Sequence, residues 1–150
     1  MESYVARFLR ASLAWLVLGT ALGAGMAIQP RWVVYRPAHL HALLLGFVMM
    51  MIAGVAYHVI PRIAMTALHA PRLARTHVWI ANAGLVLLLC GFVARPHNAG
   101  WAPVVLALGG ALSAAGAWLF AWNLWRTLDR AVPLITATPR ARPLPTAKSL

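Results

Sequence analysis

The run Pro37–Arg62, PAHLHALLLGFVMMMIAGVAYHVIPR, decides the fold. It stays apolar long enough to cross a hydrocarbon core of about 30 Å as one helix. It opens on a His-x-His pair, His39 and His41, and closes through Tyr57, His58, Pro61 and Arg62. Histidine inside a membrane segment is costly and faces a cofactor, an ion path or a partner helix. Two at one end need a reason.

Three further apolar runs flank this one, giving four expected spans at about residues 8–28, 38–60, 77–93 and 101–125. The composition agrees. Of 150 residues, 62% are apolar and 10% charged, with mean hydropathy +0.76, whereas soluble domains carry about a quarter charged residues. The expected fold is an all-α integral membrane protein, four transmembrane helices in an antiparallel up-down bundle. Met1–Arg10 reads as a short polar lead, and 129–150 as a Pro/Arg-rich disordered tail. The first apolar run is too long for a cleavable signal, and later spans keep the chain in the bilayer. The single cysteine, Cys90, excludes an internal disulfide and reads as packing.

The net charge of +11 does not mark a nucleic-acid surface, because the basic residues sit between apolar runs. They read as topology signals and contacts to anionic membrane lipid. The N-terminal segment, the middle loop and the tail hold two, three and five Lys or Arg, against two and one in the first and third loops. That bias puts both termini in the cytoplasm of a bacterial cell with the protein in its inner membrane. His39, His41 and His97 then lie near the outer face, and His58, His69 and His77 near the inner face.

Small residues mark faces where helices approach closely: Gly19, Gly23 and Gly25 in the first span, Gly109 and Gly110 in the fourth. Gly46 and Gly54 offer a similar face to a partner helix or a flat ring. Pro61 is expected to stop the second helix. Trp118, Trp122 and Trp125 recur at helical spacing and suit lipid-facing anchorage.

On a regular helix His39 and His41 differ by about 200° in direction and about 3 Å in rise. They share a depth but not a metal, and each can hold its own ligand on either side of one helix. His41 and His58 are about 25 Å apart along the axis and cannot share a site. His58 and His77 could meet across adjacent helices, and His77, opening the third helix, is a weaker metal candidate. His58, His69 and His97 otherwise read as solvated or loop residues. Met49, Met50 and Met51 point three ways, which favours core packing over copper.

His39-x-His41, Leu45-Gly46, Gly54, Tyr57 and Pro61-Arg62 together resemble a helix of the haem-copper oxidase catalytic subunit, most like the tenth helix of cbb-type oxidases and nitric oxide reductases. His77-x-Trp79, Asn82 and Gly84 resemble the start of the eleventh helix. The likeness covers roughly Pro37–Gly91 and corresponds to the last of three four-helix arcs. It implies haem b, with His39 on a high-spin haem and His41 on a low-spin one. It also implies propionate contacts from Arg95, with Arg31 and Arg36 at a suitable depth. The copper-site histidines, the cross-linked tyrosine and the second low-spin ligand of the family have no counterpart, so one copy is not expected to be a complete oxidase or reductase.

These residues suit two functions of different kinds. One is a membrane haem protein for electron transfer or for sensing nitric oxide or oxygen. Its haem would be held between protomers of a homo-oligomer, dimer or trimer, and served by a respiratory-chain partner or quinone. The other is a non-catalytic accessory or assembly subunit; a copper-handling protein is a further alternative. The only acidic residues, Glu2 and Asp129, lie outside the spans, which leaves no intramembrane carboxylate for acid–base chemistry.

Overall fold

The computed structural model describes residues 2–136, with side chains as far as Ala131. Four helices are long and apolar enough to cross a membrane, and no strand occurs among the described residues. They are α1 (Ser3–Ile28), α2 (Pro30–Ile63), α3 (Pro71–Ala94) and α4 (Ala102–Thr136). Large apolar side chains such as Val17, Leu18, Trp118 and Trp125 stand exposed on their outer faces. Lipid, not water, is the solvent that tolerates such a surface. The chain is a multi-pass, all-α membrane protein.

Successive helices run antiparallel, and glycines set how closely they approach. Going up α1, Gly54 of α2 lies against Phe8 and Leu9, Gly46 against Trp15, then Gly19 against Leu43 and Gly23 against His39. The partner that Gly46 receives is thus a helix side chain, the indole of Trp15, with Leu85 of α3 beside it. Between α3 and α4 the contact is backbone to backbone: a Cβ on Gly109 would stand 2.6 Å from the Leu88 amide nitrogen and 2.9 Å from the Gly84 carbonyl. Small residues permit this approach, and packing holds it where lipid gives helices no hydrophobic reason to associate.

Several boundaries differ from expectation. The polar lead is helical from Ser3, and its Tyr4, Val5 and Phe8 are among the most deeply buried residues. They share one face of α1 while Arg7 and Arg10 occupy the other. Pro61 does not stop α2, which continues to Ile63. A proline in the last turn forfeits one amide bond but keeps a helical φ. The true end is a Schellman turn, with Met65 left-handed at φ 49° and the Thr66 amide donating to the Pro61 carbonyl at 3.0 Å. Pro71 opens α3 two turns before the expected start, as first-turn prolines do. At the other end α4 runs through Thr136, into the stretch expected to be tail; the rest of that stretch lies outside the described residues.

A buried polar clamp fixes the connection between α2 and α3. The Asn123 carboxamide accepts from the Ala70 amide at 2.9 Å and donates to the Ala70 carbonyl at 3.0 Å. Thr127 accepts from the His69 amide at 3.0 Å and donates to the Asn123 carbonyl at 2.7 Å. His69 is therefore half-buried under α4, not simply exposed. Its burial, then Arg130 and Arg126 nearby, holds its imidazole below the ordinary histidine range.

Gly109→Ala forces α3 and α4 apart and is expected to cost about 1–3 kcal/mol. Gly110→Ala, with nothing within 4 Å of its added methyl, should be neutral or stabilising, by up to about 1 kcal/mol. Reversible unfolding in mixed detergent micelles compares the two.

Candidate functional site

The His-x-His pair lies on a short α-helical stretch of α2, Arg36–His41, between a 3-10 stretch (Pro30–Tyr35) and a π-helical stretch (Ala42–Met49), with α-helix resuming at Met50. Wide π turns recur at functional sites, and they rotate the later part of a helix relative to a regular one. Within the short α turn the two histidines point opposite ways, as the spacing requires. His39 turns to α1, its ring filling the space a Cβ on Gly23 would take, 2.8 Å from Cε1. His41 turns to α3, its ring centroid 4.6 Å from that of Phe92. Both are half-buried.

Their hydrogen bonds fix their chemistry. His39 Nδ1 lies 2.8 Å from the Gly19 carbonyl, and His41 Nδ1 lies 2.8 Å from the Pro37 carbonyl one turn earlier. A carbonyl only accepts, so each Nδ1 carries the proton. In the neutral imidazole each Nε2 then keeps its lone pair, and neither Nε2 has a hydrogen-bond partner among the described residues. A ligating histidine is prepared for metal in this way, with one ring nitrogen tied to a carbonyl and the other free.

At the same end, the Tyr35 hydroxyl meets His97 Nε2 at 2.9 Å. That bond ties the start of α2 to the turn after α3. Arg36 and Arg95 flank it in sequence, and with Arg31 they are exposed. No group of three His, Cys, Asp or Glu side chains converges among the described residues, so the candidate ligands act singly.

His77 is placed differently from expectation. It does not open α3 but sits two turns in, 6% exposed, among Phe8, Tyr57 and Phe120. Its Nδ1 is 3.2 Å from the Tyr57 hydroxyl, so it meets Tyr57 and not His58. His58 instead accepts from Arg62 at 3.0 Å on its own helix. The space beside His77 is about 60 Å³, bounded by Phe8, Met50, Ser113 and Phe120, and Ser113 Oγ is buried there without a partner. At about 30 Å³ per water, it admits water and no porphyrin. Met49 and Met50 both line that apolar space, while Met51 Sδ faces Ser12 Oγ at 3.9 Å, so the three sulfurs pack in different surroundings.

The sequence reading missed two groups. The aromatic cluster of Tyr4, Phe8, Tyr57 and Phe120 draws one or two rings from each of three helices, which no local pattern announces. The bond from Trp15 Nε1 to Asn82 Oδ1, 2.9 Å, joins α1 to α3; lone amides in apolar helices, Asn82 and Asn123, were the available signal.

A family model described as cytochrome c and quinol oxidase polypeptide I matches residues 3–143. The chain belongs to that family. Among its relatives is the cbb3-type cytochrome c oxidase subunit CcoN1 of Stutzerimonas stutzeri, 30% identical over 159 residues. The alignment covers 86% of this chain and 34% of that subunit, so the chain spans about a third of the relative's length. Membership of the oxidase subunit I family extends the likeness beyond Pro37–Gly91 to all four helices. Haem and copper are the family's cofactors in general; the donor set here suits haem, through single imidazoles, better than a convergent copper site.

Tyr57→Phe removes the partner of His77 Nδ1 and is expected to lower stability by about 0.5–1.5 kcal/mol, measured as a lower unfolding midpoint in detergent.

Proposed function

We propose that the protein is a haem b-binding membrane protein in which His41 ligates a low-spin haem and His39 a high-spin one, at the outer face of a bacterial inner membrane. The observation that carries this is the pair of imidazoles with Nδ1–H tied to carbonyls and Nε2 left for iron. Support also comes from membership of the oxidase subunit I family.

Bound haem would supply a one-electron couple and, at a five-coordinate iron, a position for nitric oxide or oxygen. This chain's own residues do the rest. The Gly19 and Pro37 carbonyls orient the two rings and raise their basicity as ligands. Phe92 walls one side of His41. Arg36 and Arg95, brought to one end by the Tyr35–His97 bond, are suited to propionates, with Arg31 beside them. Gly46 takes no part, since Trp15 fills its face.

The space beside His77 is too small for a porphyrin, and a haem held by His39 or His41 would sit at the other end of the bundle, beside α2, where another chain could share its faces. A second copy, in a dimer or trimer, is the simplest source of the missing axial ligand. A respiratory-chain partner or a quinone would exchange electrons with it. Both termini then face the cytoplasm, following the distribution of Lys and Arg.

Protein purified from haem-replete cells should show a Soret band that shifts on reduction. His41→Ala should lose the six-coordinate low-spin spectrum and retain the high-spin component, and His39→Ala the reverse. A colourless preparation points instead to the accessory-subunit alternative, and copper without haem to copper handling. An unchanged six-coordinate spectrum in His41→Ala removes the ligand assignment.

A further inference from the structure

The geometry points to a second binding site, for the headgroup of an anionic glycerophospholipid, in the cleft between α1 and α3 at the end opposite the His-x-His pair. Arg7, Arg10 and Ala11 of α1 and Val78, Trp79 and Asn82 of α3 bound a cleft of about 260 Å³. The Arg7 guanidinium carbon lies 5.8 Å from the centroid of the Trp79 ring, within the range of a cation–π contact. That contact holds one charge at the cleft and keeps it from swinging out to water.

The cleft is lined by two guanidinium groups and no carboxylate. The one ion pair among the described residues joins Arg126 to Asp129 on α4, so neither arginine meets a carboxylate there. Asn82 is held in place, its Oδ1 accepting from Trp15 and its Nδ2 donating to the Val78 carbonyl at 2.7 Å, which leaves its second N–H for an incoming oxygen. Arg7 and Arg10 are both exposed on the same stretch of α1, open to a ligand approaching from outside the bundle. A phosphodiester supplies the oxygens that two guanidinium groups need. Ala11, Val78 and the exposed face of Trp79 continue the cleft as an apolar wall for an acyl chain. Free phosphate would satisfy the charges but leave that wall uncovered. A zwitterionic head would set a cation beside two arginines. An anionic phospholipid matches both halves, and basic pockets between membrane helices bind such heads.

Native mass spectrometry of the whole chain, released from micelles doped with equal phosphatidylglycerol and phosphatidylcholine of identical acyl chains, tests this without any variant. Preferential retention of phosphatidylglycerol is expected, and equal retention of the two overturns the site. Arg7→Gln and Arg10→Gln should each lower that retention about fivefold. Arg72→Gln removes an exposed charge at the same end but outside the cleft, and should leave retention unchanged. A loss in Arg72→Gln equal to that in Arg7→Gln means general attraction to a basic surface and sinks the assignment.

Discussion

The arrangement depends on how near α2 comes to α1. At Gly23 the missing side chain is the room that His39 occupies, and one turn below it the Gly19 carbonyl takes the His39 Nδ1 proton. That carbonyl can serve a second donor because a carbonyl oxygen has two lone pairs. Enlarging Gly23 would displace the ring itself, whereas enlarging Gly19 would press on Leu43 of the same helix pair. The same contact continues at Gly46 and Gly54, so the histidine's aim is set by packing along the length of the helix pair.

Polar groups are few, and several of them join two elements. Trp15 and Asn82 bind α1 to α3, Tyr57 and His77 bind α2 to α3, and Asn123 with Thr127 binds α4 to the connection before α3. Individually such bonds contribute about 0.6 kcal/mol in membrane helices. Their larger effect is on register, since slipping a helix by one residue would strand a donor in a medium with no water. Small-residue faces bring the helices together, and the amides decide which residues meet.

Much of this was legible from the chain. Hydropathy runs gave four crossings because a bilayer admits little else, and the two-residue spacing gave opposite aims for His39 and His41 because their turn is regular. Helix ends were not legible. Tyr4, Val5 and Phe8 look like part of a polar lead until the rings of α2 and α4 are present to cover them. Pro61 looks like a stop unless the Schellman turn beyond it is known. His77 looks like a helix-opening residue because Pro71–Thr76 carries two arginines, which lower its hydropathy without lowering its capacity for helix. Local pattern reports propensity, whereas these positions are set by what lies across from them.

The two imidazoles face opposite sides of α2, and the cavity beside His77 holds no more than water. Among the described residues no group of three His, Cys, Asp or Glu gathers at either imidazole, so each stands as a donor on its own side of the helix. The alignment covers 34% of the CcoN1 relative, so this protein matches one part of that longer chain. Under the proposed haem reading, the remaining ligands come from residues beyond those described. The glycines that seat His39 against α1 then serve a purpose beyond stability. They commit the α1 side of α2 to packing and fix the aim of an imidazole whose Nε2 has no hydrogen-bond partner among the described residues.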